Sequence, residues 1–153
     1  MIEQYQILQA IQSMAHSRFP QIPILEDLTT ADFPRPSFYL DPEPLTLEDA
    51  GRRLIRVRWA IGLIYFPPVD EESQDAAMEQ LLTGSQAMLA LFAQGYLTVG
   101  NRALHLTASA GKPDRDAAAV ILQLDYLDQR PETEQAAAWM EQIHLTAEPK
   151  TEG

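Results

Sequence analysis

The chain has 153 residues, no cysteine and a formal net charge of −11, with 22 acidic side chains against 11 lysines and arginines. That length suits one domain with a core that needs no staple, and the missing thiols exclude a disulfide scaffold and a cysteine-based zinc site. So acidic a surface repels nucleic-acid backbones, so specific nucleic-acid binding is not expected.

The opening residues are neither cationic nor a long apolar run, so neither a signal peptide nor a membrane span is expected. Residues 2–18 read as a helix, because Ile7, Leu8, Ile11, Met14 and Ala15 recur at helical spacing. Pro20 ends it by pushing Phe19 out of the helical region. Residues 21–26 are a short extended run, and Pro23 suggests an edge position. A loop spans 28–36. Residues 38–47 look extended, but Pro42 and Pro44 remove two N–H groups from the same side. The segment is therefore an edge strand or an arm leaving the sheet.

Asp49-Ala50-Gly51 supplies turn chemistry. In 55–63, Ile55, Val57, Trp59, Ile61 and Leu63 alternate with Arg56, Arg58, Ala60 and Gly62. A period of two means a strand with one apolar face and one that tolerates cations. Together with 38–47 it forms a long hairpin. Residues 70–94 are the strongest helix pattern, with Asp70 as cap and Glu71 and Glu72 at the positive end of the dipole. Gly95 stops it. A second hairpin turns at Gly100-Asn101. Residues 118–127 are the last strand, with Val120, Leu122, Leu124 and Tyr126 on one face. Residues 132–143 form a short helix with Ala136, Trp139, Met140 and Ile143 as its stripe. The expected fold is α+β: a mostly antiparallel sheet, helices on one face, and a long extended hairpin. Residues 1–130 form the body, 131–146 the C-terminal helix, and 147–153 a disordered tail.

Catalytic chemistry finds little support. His16, His105 and His144 lack ligand spacing, and a helix start explains Asp70, Glu71 and Glu72 without a metal. Asp125 and Asp128 sit three apart in or after a strand and need not share a face. Gly84-Ser85 lies inside a helix and is no nucleophile elbow; no glycine-rich phosphate cradle occurs. No enzyme activity, metal or cofactor is expected. The dense basic cluster is Arg52, Arg53, Arg56 and Arg58. It reads either as a solvated strand face with local acidic partners or as an interface stripe. In the second case Glu43, Glu48 and Asp49 of a neighbouring copy are plausible partners, in a head-to-tail contact able to close a ring.

The order of elements and the quoted runs FPQIPILED, PSFYL, RRLIRVRWAIGLIYFPP followed by DEESQDAAMEQLL, YLTVGNRALHLTAS and VILQLDYLDQR resemble one family. It is the phage tail terminator family of prophages of Gram-positive bacteria, formerly a domain of unknown function. The resemblance covers residues 2–130. It implies an α+β structural virion protein that caps the tail tube as a hexameric ring and docks to head-completion proteins. Its partners would be other copies of itself, the tail tube protein and a head-completion protein. Its location would be the virion tail, or the host cytoplasm during assembly. Another head–tail or minor tail completion protein and a cytosolic protein-binding adaptor are the alternatives. The helix with Trp139 and Met140 has no place in the family pattern.

Overall fold

A computed structural model describes residues 1–26 and 33–146. Its elements are α1 (Gln4–Arg18), β1 (Ile24–Leu25), β2 (Ser37–Pro42), β3 (Thr46–Asp49), β4 (Leu54–Phe66), α2 (Met78–Leu91), β5 (Tyr96–Val99), β6 (Arg102–Ala110), β7 (Ala118–Gln129) and α3 (Thr133–Thr146). Among the described residues the strands form one seven-stranded sheet in the order β1-β2-β4-β7-β6-β5, with β3 also on β4. The pairings are antiparallel except β1 with β2, so the α+β sheet is mixed. The expected tail at 147–153 and most of the 28–36 loop lie outside the described residues.

β4 is the spine. One edge pairs with β7 from Leu54↔Gln129 to Tyr65↔Ala118. The other edge pairs first with β3 and then with β2. The two prolines explain why two strands share that edge. Pro42 ends β2, and the chain stays close at Glu43, whose N–H donates to the Ala60 carbonyl at 2.9 Å. Pro44 cannot donate, and pairing resumes at Thr46↔Arg58. The segment 37–49 therefore runs along the sheet instead of leaving it.

Alternation along β4 and β7 sends Val57, Trp59, Ile61 and Leu63 to the same side as Val120, Leu122 and Leu124. That side meets Ile7 and Ile11 of α1, and Leu81 and Met88 of α2, in one core. Ile7, Ile11 and Ala15 recur every four residues, and Leu81, Ser85 and Met88 at steps of four and three, so each helix buries a single stripe. α3 contributes no described residue to this core. Met140 and Ile143 on it are 66% and 59% exposed.

The acidic stretch after β4 corrects one expectation. The helix begins at Met78, eight residues beyond Asp70. Asp70 instead closes a turn: its N–H donates to the Asp75 carbonyl and its carbonyl accepts from Gln74, whose φ is +60°. Arg115 then holds the Asp75 carboxylate at 2.6 Å, and Ala76 N–H reaches the Arg115 carbonyl. These tertiary bonds outcompete the local preference of Asp and Glu for a helix start.

Gly84 lies under the Tyr65 ring, and a Cβ there would overlap that ring. The ring is backed by Phe38, with centroids 5.5 Å apart. Gly84→Ala gains about 1 kcal/mol of helix propensity but overpacks the contact at a cost of about 1–3 kcal/mol. A small net loss of stability is expected in urea denaturation, reversed to a gain when Tyr65→Leu is added.

Candidate functional site: the outer face of the sheet

The strand parity that buries Trp59 and Leu124 points Arg56, Arg58, Gln123 and Asp125 the other way. On this outer face Arg56 grips Asp125 with two bonds, Nε to Oδ1 and Nη2 to Oδ2, both 2.8 Å. Arg58 donates to Glu48 Oε1 at 2.8 Å, and its Nε lies 3.8 Å from Asp125 Oδ2. The register places these groups together: Glu48 pairs with Arg56 across β3–β4, and Arg58 with Asp125 across β4–β7. Leu54, Leu127 and Ile121 are exposed on the same face, so the ionic row is bordered by apolar side chains.

The hydrogen bonds from Arg56 hold the Asp125 carboxyl below its ordinary value of 3.8. Partial burial opposes this, and the charges of Arg56, Arg58 and His105 add to the lowering. The same bond raises Arg56. Because the folded carboxyl titrates below the unfolded one, its stabilisation is present above the unfolded value and is lost as pH falls through the folded one. Asp125→Asn should therefore lower stability most at neutral pH, with the difference from wild type shrinking as pH falls below about 4, so that the acid side of the stability–pH curve flattens. Urea midpoints from pH 2 to 7 test this; an unchanged acid limb would remove Asp125 from the account.

The structure divides the candidate interface residues. Arg56, Arg58 and Glu48 are partnered within their own chain, as is Asp49, whose carboxylate accepts from Arg130 and from Gly51 N–H. Exposed pairs of this kind are screened by solvent and add little net stability, so they shape the surface more than they stabilise it. Arg52 and Arg53, in the turn before β4, are exposed and make no ion pair among the described residues. Glu43 contributes its carbonyl, which accepts from the Trp59 indole at 2.5 Å, while its side chain is exposed.

Two clusters escaped the sequence reading. Asp128 lies on the inner face, opposite Asp125, and is 5% exposed. It accepts from Ile2 N–H at 2.7 Å, Arg102 at 2.9 Å and Gln129 N–H at 2.8 Å. The signal was available, since 128 continues the parity of 120, 122, 124 and 126. Burial pushes the neighbouring Tyr126 hydroxyl up to about 12, and the Asp128 charge adds to it. Arg35 stacks over Phe33 and Phe66 and bonds to Asp116 at 2.6 Å and to the Pro67 carbonyl at 3.1 Å. No local pattern signals that clasp, because its partners other than Phe33 are 31 to 81 residues away.

A cleft of 460 Å³ opens between α2 and the far end of β4, lined by Phe19, Ile22, Phe38 and Tyr65 on one side and Thr83, Gly84 and Ala87 on the other. Among the described residues no three His, Asp or Glu side chains are grouped to hold a metal, and no helix is long and apolar enough to cross a membrane.

Residues 6–136 match a family model described as phage tail terminator protein. No curated protein matches the chain. One solved structure, whose name states no function, aligns over 86% of this chain and 100% of its own, at 20% identity and a TM-score of 0.44. A likeness so distant carries no functional argument.

Proposed function

The chain belongs to the phage tail terminator family, and from that premise we propose that it is a non-catalytic virion protein that caps the tail tube as a ring. The ring is hexameric, as in the proteins the sequence resembles, and its exposed end docks to head-completion proteins. The observation that carries this reading is the family match, which runs from α1 through every strand of the sheet to the start of α3. An outer sheet face bearing both apolar and ionic side chains supports a contact between copies.

The subunit contact runs along residues 43–58. Arg52 and Arg53 are its cations, free of any ion pair within their own chain among the described residues. Arg56, Arg58, Glu48 and Asp49 form the ordered ionic surface beside them, and Glu43 lies at its far end. A net charge of −11 suits a wall that DNA passes without sticking. Location in the virion tail follows, with assembly in the host cytoplasm.

Electron microscopy of tail tubes polymerised with and without the protein tests the reading. Tubes of bounded length carrying a ring at one end are the expected result, weakened in Arg52→Glu/Arg53→Glu protein. Tubes that grow unchecked and bare in the presence of the wild-type chain would overturn it.

A further inference from the structure

We propose that α3 of one copy docks its Trp139, Met140 and Ile143 face into the 460 Å³ cleft between α2 and the end of β4 in a second copy. The inference rests on the ring reading in that it needs copies to meet head to tail.

Among the described residues, no α3 side chain joins the core, and none from α3 lines the cleft. Trp139 is half-buried, while Met140 and Ile143 are largely exposed on α3. Ile143 lies four residues after Trp139 and three after Met140, so both border it and the three make one apolar stripe about 100° wide. The family match ends at residue 136, before that face begins. The cleft has the opposite character. Phe19, Phe38 and Tyr65 wall it; on the α2 side Gly84 and Ala87, about one helical turn apart, leave the wall low, and Glu79 and Gln80 supply a polar end. A volume of 460 Å³ is within the range of about 300–1,000 Å³ of pockets that bury a drug-sized ligand, so it has room for apolar side chains.

Reach decides between docking within a chain and docking between chains. α3 follows the end of β7, and Gln129 pairs with Leu54 at the start of β4. Tyr65, at the cleft, is eleven residues further along β4, about 36 Å along the strand. From Gln129 the chain takes four steps to Thr133, at most about 14 Å, and the helix then rises about 9 Å to Trp139. Even fully extended toward it, Trp139 thus falls about 13 Å short of its own cleft and Ile143 about 7 Å short, but a copy placed end to end can present the face. The contact joins a helix face to a different surface, so it is heterologous and propagates until a ring closes.

The absence of cysteine makes crosslinking a direct test. Ile143→Cys protein is mixed with Thr83→Cys protein, alone and with tail tubes present, and treated with a short bis-maleimide. The expected product is a dimer-sized band at least tenfold stronger than in a control pairing Ile143→Cys with Gln123→Cys, and lost when Trp139→Glu is added. No band above the control overturns the inference. So does a crosslink that forms only within single chains carrying both cysteines, unchanged by dilution. Tube capping, scored in parallel, separates the two claims. Capping without the crosslink overturns the docking alone. The crosslink without capping overturns the tail-tube reading alone.

Discussion

Trp59→Ala is expected to lower the stability of the fold by about 3–5 kcal/mol, the usual cost of emptying a large aromatic site in a core. Trp59 is 2% exposed and sits in the strand paired on both edges. Its ring stands among Val57, Ile61 and Leu124 on the inner face. Two losses add. The cavity removes packing from both walls of the core, and the Glu43 carbonyl loses its indole donor. That carbonyl lies in the break between β2 and β3, where the prolines already withhold backbone donors. Trp59→Phe should keep most of the packing and lose only the hydrogen bond, at about 0.5–1.5 kcal/mol. Urea denaturation of both variants measures the difference. Equal losses in the two would mean that the ring volume contributes nothing, contrary to its burial.

Asp128→Ala is expected to cost near the upper end of about 1–3 kcal/mol, because it strands donors that the carboxylate now satisfies. Ile2 N–H and Arg102 both lose their acceptor. Arg102 is 38% exposed, so water restores part of its solvation and keeps the loss below that of a fully buried pair. The Ile2 contact ties the chain start to β7 across 126 residues. The substitution should therefore also speed hydrogen exchange in the first turn of α1 more than in β4 or β7. Asp128→Asn keeps an acceptor and should lose less. A loss no greater than that of the exposed Asp114→Ala would show that the buried carboxylate is not holding the start of the chain.

The helix α1, the β5–β6 hairpin at Gly100-Asn101, and the strands β4 and β7 were readable because each carries its periodicity within its own residues. The YLTVGNRALHL run needs only its neighbours to fold back, and Gly100 takes the φ of +60° that the turn demands. The start of α2 was not readable, because Arg115, 40 residues beyond Asp75, draws the acidic stretch into a turn through its bonds to Asp75 and Ala76. The proline-broken edge had two readings, and only the register on β4 chose between them. The arginine stripe was recognised as an outer strand face, but not that Asp125 would clasp Arg56, since a strand's neighbour is not written in its own alternation.

The family, and with it a structural role in phage tails, was legible in the linear order of residues, as were the inward positions along each long strand. A side chain's parity along a strand is a local property, set by the pleat alone. Which carboxylate meets which guanidinium, where a helix begins among acidic residues, and which apolar faces remain uncovered are properties of distance across the fold. Those were decided only when β4 found β3 on one edge and β7 on the other.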